Sequence, residues 1–179
     1  MRIATIASWL LLALTGAGHA QDMDHAAHMA ERAKGQRQAE VAERGKDVMP
    51  FSLPATTHIF TRSAKGGVQQ VVARKAGDSS QVKLVRQHLR QIREQFDAGD
   101  FSGPAHIHGH DMPGLEELKA AGPGRIAIAY KDIKGGGQLA YSTSEPTLVA
   151  ALHRWFDAQL SDHGKDAMAG HEQHRTPSK

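Results

Sequence analysis

Thr57-His58-Ile59-Phe60-Thr61-Arg62, then Lys65-Gly66-Gly67, then Val68-Gln69-Gln70-Val71-Val72-Ala73-Arg74 is the stretch that decides the fold. Two runs rich in β-branched residues flank a Lys-Gly-Gly turn, a hairpin composition, because glycine reaches the positive φ that tight turns between twisted strands require. Two antiparallel strands follow. Residues alternate sides along a strand, so His58 faces opposite Ile59, and nothing in the sequence assigns it a role.

Downstream, Asp78-Ser79-Ser80-Gln81 starts a helix with Asp78 as N-cap, and Val82, Val85, Leu89, Ile92 and Phe96 fall on one stripe before the stop at Gly99. The scheme then repeats. Arg125 to Lys131 alternates, Lys134-Gly135-Gly136-Gly137 turns, and Gln138 to Thr143 alternates back. Ser144-Glu145-Pro146 opens a second helix with Leu148, Val149, Leu152, Trp155, Phe156 and Leu160 on its apolar face. The pattern predicts an α+β fold: two ββα units, a four-stranded antiparallel sheet and two helices on one face of it. Between the units, Phe101 to Gly122 holds a histidine run and a short helix, Pro113 to Ala121.

The segments outside this core read differently. Met1-Arg2-Ile3, the apolar stretch Ala7 to Leu14 and Gly18-His19-Ala20 have the order of a secretory signal peptide over residues 1–20, with the mature chain starting at Gln21. That addresses the protein to the periplasm of a two-membrane bacterium, or outside the cell otherwise. Residues 21–50 are polar with hardly any large apolar side chain and are expected to form a mobile or loosely helical arm; 164–179 are expected to form a mobile tail, leaving 51–163 as the folded domain. No other stretch is long and apolar enough to suggest a membrane span.

The 22 basic and 19 acidic residues are interspersed without a sustained basic block, so no nucleic-acid footprint is present. There is no cysteine, which removes disulfides and thiolate metal sites together and leaves imidazole, carboxylate and thioether as ligands.

Two stretches carry a resemblance. His108-Gly109 with Met112-Pro113-Gly114-Leu115, and the run Ala151-Leu152-His153-Arg154-Trp155-Phe156-Asp157-Ala158-Gln159-Leu160-Ser161-Asp162-His163-Gly164, are similar to an uncharacterised family of small secreted bacterial proteins, over roughly Thr57 to Gly164. Members of that family sometimes carry the label aspartate carbamoyltransferase. A transcarbamoylase needs two α/β domains and a Ser-Thr-Arg-Thr loop, neither of which this chain has, so the resemblance implies domain limits and no mechanism.

The candidate chemistry lies in histidines. His106, His108 and His110 alternate between Pro104 and Pro113, and in an extended backbone they would share one side, with Met112 beside them. Neutral imidazole is the commonest transition-metal ligand, so this loop suits copper or zinc; the competing reading is a solvated loop that caps the next helix, with Asp111 as its N-cap. His153 stands one turn before Asp157, and His88 holds a similar edge position on the first helix, so a pseudo-twofold arrangement would bring those two rings together at the helix seam. Amphipathic boundary residues would look the same. His163 closes Ser161-Asp162-His163-Gly164, where a helix C-cap suffices as explanation and closure of a site with the loop histidines is the alternative.

Met23-Asp24-His25-Ala26-Ala27-His28-Met29 and Met168-Ala169-Gly170-His171-Glu172-Gln173-His174 mix thioether with imidazole, a combination that points to copper. The expected function is a periplasmic copper-binding protein that buffers the ion or transfers it to a periplasmic protein partner, with zinc as the alternative metal. A non-metal interaction or small-ligand module and a histidine-dependent hydrolase or lyase are the competing classes. No nucleophile elbow, phosphate loop or metalloprotease helix occurs, which leans against an enzyme.

Overall fold

The first hairpin forms where its composition places it: β1 (Thr56–Ser63) pairs antiparallel with β2 (Gly66–Ala73), Ser63 opposite Gly66. The structure, a computed structural model, describes residues 18–171, so most of the signal segment and residues 172–179 lie outside the described residues.

The chain divides into two units, Met1–Gly35 and Gln36–Lys179. The described part of the first belongs to helix α1 (Gly18–Val48), and its residues 25–35 are exposed. The second unit begins with the rest of α1. Residues 21–50, expected as a mobile or loosely helical arm for want of apolar residues, are helical up to Val48, and what the expectation lacked is the packing from Gln36 onward.

Polar anchors seat that part of α1. Arg44 Nε donates to the Ile107 carbonyl at 2.8 Å, Gln38 Nε2 to the Ser161 carbonyl at 2.8 Å, and Arg37 pairs with Asp162, while Val41 is completely buried. A composition-based reading counts apolar surface and cannot see long-range bonds of this kind.

Within the second unit, β3 (Ala127–Ile133) and β4 (Gly136–Ser142) form the other hairpin, and β4 pairs antiparallel with β2. The sheet order is β3-β4-β2-β1-β5. The fifth strand corrects the four-stranded antiparallel expectation: β5 (Ala167–Ala169) runs parallel to β1, His58 opposite Ala167, which makes the sheet mixed. It falls in the tail expected to be mobile. Arg74 bonding to Asp166 at 3.0 Å and Gly170 N–H donating to the Phe60 carbonyl at 2.8 Å hold it against an edge that otherwise leaves backbone groups unpaired.

Helix α2 (Ser79–Asp97) starts at Asp78, whose carboxylate accepts from the Gln81 N–H at 3.1 Å. Its buried stripe, Val85, His88, Leu89, Ile92 and Phe96, faces the sheet together with α5 (Pro146–His163). Phe60, Phe96, Tyr141, Trp155 and Phe156 form a continuous aromatic core at centroid separations of 5.2 to 6.5 Å, with the Phe96–Trp155 and Tyr141–Trp155 pairs edge to face. This packing fixes where both helices lie on the sheet.

The connection between the two ββα halves is helical. Helix α3 (Ser102–His108) begins where the Asp100 carboxylate accepts from the Ser102 N–H at 2.9 Å, and Pro104 sits in its first turn, where a missing N–H breaks no intrahelical bond. Gly109, at φ 88°, ends it. Helix α4 (Leu115–Ala121) follows, entered through Gly114 at φ 82°.

A Cβ on Gly114 would overlap the Ala151 carbonyl of α5 and stand 3.0 Å from the Trp155 nitrogen. Gly114→Ala combines a left-handed φ with a backbone clash, and the expected outcome is destabilisation of more than about 2 kcal/mol in urea denaturation. A change within about 0.5 kcal/mol would mean that α4 and α5 do not approach this closely.

Candidate functional site

Four buried histidines meet where the ends of α3 and α5 reach the sheet. Alternation along β1 turns His58 to the same side as Phe60, toward the helices. His88 comes from the middle of α2, while His108 and His163 are the last residues of α3 and α5. Their exposures are 3, 7, 2 and 8% in that order.

Three of the four rings are in contact. His58 stacks on His163 at 4.8 Å between centroids and 7° between planes, and His108 stands edge-on to His163 at 5.0 Å and 88°. His88 meets Phe51 edge-on at 5.5 Å. His88, His108 and His163 line one cavity of about 50 Å³, and Met49, Gln69 and Gln159 are also among its lining residues.

Asp162 organises this corner. Its carboxylate accepts from Arg37 at 3.0 and 2.9 Å and from Nδ1 of His108 at 2.8 Å, and a further N–H of Arg37 reaches the His108 carbonyl at 2.5 Å. Burial acts to raise the Asp162 carboxyl, but the hydrogen bonds from His108 and Arg37 outweigh it and hold its pKa at about 2. An ionised carboxylate only accepts, so His108 Nδ1 carries the proton, and a neutral ring keeps its lone pair on Nε2.

His163 is placed in the same way by Gln159, whose Oε1 lies 3.1 Å from Nε2. Nδ1 of His163 and Nδ1 of His58 are buried with no hydrogen-bond partner among the described residues. Burial is the main reason that these rings resist protonation: His58 is pushed down to about 3 and His88 to about 4, and His163 falls well below the ordinary value, with neighbouring imidazoles adding to the effect at His58 and His163. Three neutral imidazoles at physiological pH are ligands in waiting, since coordination requires the unprotonated ring.

Among the described residues, no three or more histidine, aspartate or glutamate side chains are already arranged as a coordination sphere. The parallel stack explains why at His58 and His163. Ring lone pairs lie in the ring plane, so two stacked imidazoles cannot aim at one ion until one of them turns about its Cβ–Cγ bond.

The expectation of three imidazoles on one side of an extended loop is corrected by α3. Residues two apart on a helix differ by about 200° in direction, so His106 and His108 point opposite ways. His106 is exposed, with Nε2 3.0 Å from the Asp47 carboxylate; His110 is exposed as well; Met112 is buried in the apolar core.

The proposed meeting of His88 with His153 also fails. His153 Nε2 lies 3.1 and 2.9 Å from the carbonyls of Ser63 and Gly66 in the first hairpin turn, and Asp157, its expected partner, pairs with Arg62. Of the seven candidate ligands, His88, His108 and His163 are brought together, and His58 joins them without having been singled out. The signal for α3 was present: Phe101, Pro104, Ala105 and His108 follow the i, i+3, i+4, i+7 spacing of a helical face.

No family model, no curated protein and no solved structure matches this chain. Among the described residues no helix is long and apolar enough to cross a membrane.

Proposed function

We propose that this chain is an exported copper-binding protein that buffers the ion or passes it to a periplasmic partner, with His88, His108 and His163 as ligands. One observation carries the reading: three buried imidazoles from three separate helices line one ion-sized cavity whose wall includes Met49, and burial lowers the pKa of two of them, His88 and His163. Imidazole alone suits zinc equally well; the thioether tips the preference toward copper. Asp162 serves as the outer partner that orients His108, and a turn of His163 out of its stack on His58 completes the sphere. Export rests on the signal-peptide pattern of residues 1–20.

The hydrolase or lyase alternative has the His108–Asp162 pair in its favour. The cavity of about 50 Å³ weighs against it, because pockets for organic substrates begin at about 300 Å³.

Calorimetry and thermal melts with Cu(I) and Cu(II) test the proposal. A ligand specific to the folded state adds about 4 kcal/mol at a thousandfold excess over Kd, so copper should raise Tm by about 10 °C. His163→Gln should abolish most of that rise, whereas the double change His106→Ala with His110→Ala should leave it intact. Loss of the rise in the loop variant, or no rise in the wild type, would reject the buried cluster as the site.

A further inference from the structure

Exposed methionines are the unexplained feature of this surface. Among the described residues the only large apolar side chains left exposed are Met23, Met29 and Met168, at 73, 49 and 53%. A side chain kept in water for hydrophobic contact would as readily be leucine or isoleucine, so the selection of methionine points to sulfur chemistry.

Met29 has the neighbours that such chemistry needs. It lies on α1 four residues after His25 and one after His28, and all three side chains are exposed. Side chains three and four apart on a helix stand about 5 to 6 Å from one another at Cβ, so the two imidazoles and the thioether occupy an arc of about 100° and converge over one turn. Met23, two residues before His25, projects to the other side and does not belong to the set.

We infer that His25, His28 and Met29 form a second, solvent-facing site on α1 that takes a single Cu(I) ion. Two imidazoles and one thioether form a three-coordinate set of soft to intermediate donors, suited to Cu(I) and poorly suited to hard oxygen-seeking cations. Arg32, one turn further along the same face, places a positive charge beside the site, which opposes a dication more than a monocation. An exposed, adaptable site is suited to taking up and releasing the ion rather than storing it. The inference shares with the preceding proposal only the identity of the metal and does not require the buried cluster.

The test uses the full chain, titrated anaerobically with Cu(I) against a chromogenic chelator. The variant His25→Ala, His28→Ala, Met29→Leu should bind one Cu(I) fewer than the wild type. Met29→Leu alone should weaken that ion about tenfold and remove its sulfur signature in X-ray absorption while sparing zinc affinity. Alanine and leucine are strong helix formers, so α1 itself survives these changes, which circular dichroism verifies. His163→Gln, which disturbs only the buried cluster, should leave the α1 ion in place; if that ion persists while the copper-dependent rise in Tm is absent from the wild type, the buried site fails and this one stands. Identical stoichiometry and affinity in wild type and triple variant, or an affinity no better than that of free histidine and methionine, would overturn the inference.

Discussion

Metal-free protein is expected to lose about 4 kcal/mol of unfolding free energy between about pH 8 and about pH 5. The imidazoles titrate near the ordinary 6.5 in the unfolded chain, whereas in the fold His58 stays neutral to about 3 and His88 to about 4. Below about pH 8 the unfolded state therefore binds more protons than the folded one, and stability falls as pH falls, most steeply below about 6.5; above about pH 8 these groups contribute no slope. At pH 5 each of the two contributes a loss of about 2 kcal/mol, and His163, depressed in the same direction, adds to it.

The window distinguishes them from carboxylates. Asp162, at about 2, is a stabilising carboxylate whose contribution is lost only as pH falls below about 4. A protein of this size has about 5 to 15 kcal/mol in total, so the histidine effect alone brings it close to unfolding under mild acid. Denaturant melts of the metal-free chain at three pH values measure it. A flat profile between pH 7 and 5 would mean that His58, His88 and His163 are solvated rather than buried. Copper bound at these rings would hold them unprotonated and move the acid transition to lower pH.

Asp162→Ala carries the other large effect. Its carboxylate holds Arg37 and His108 at once, and among the described residues it is the only carboxylate in the buried set. Removing it leaves the His108 Nδ1 proton buried without an acceptor and unfastens α1, at a cost of about 3 kcal/mol after allowing for the partial exposure of Arg37. Because the same carboxylate fixes the His108 tautomer, copper affinity should fall about 10- to 100-fold.

Asp162→Asn separates the two roles. The amide oxygen can still accept from His108 while the charge on Arg37 goes uncompensated, so the fold should weaken with a smaller effect on copper. Equal losses of affinity in both variants would mean that Asp162 acts on the metal through charge rather than through ring orientation. If neither variant alters stability, the Arg37–Asp162–His108 link is not what holds α1 in place.

The elements of the sheet were legible because their causes are local. The glycine runs mark the hairpins because Gly66 and Gly135, at φ 141° and 76°, take backbone conformations that other residues rarely adopt, and the stripe from Val85 to Phe96 marks a helix by its period. Asp78 caps α2 as its position in the sequence implies, since the capping bond spans only three residues. The errors fell where the decisive partners are distant. β5 exists because β1 offers it an edge, and the second part of α1 packs because Arg37, Gln38 and Arg44 find acceptors far along the chain.

The candidate site shows the same division more sharply. Its histidine content, the absence of cysteine and the neutral-pH chemistry of imidazole followed from the residues themselves. Which imidazoles meet did not, because an alternating His-x-His-x-His run has one meaning on an extended backbone and the opposite meaning on a helix.

From the sequence alone came two hairpins, two amphipathic helices, an α+β class and a supply of ligand side chains. Only the tertiary structure could turn His106 outward and His108 inward, stack His58 on His163 and tie Arg37 to Asp162 and the His108 carbonyl. Local periodicity is a property of neighbouring residues, whereas burial and convergence depend on which surfaces the whole chain removes from water.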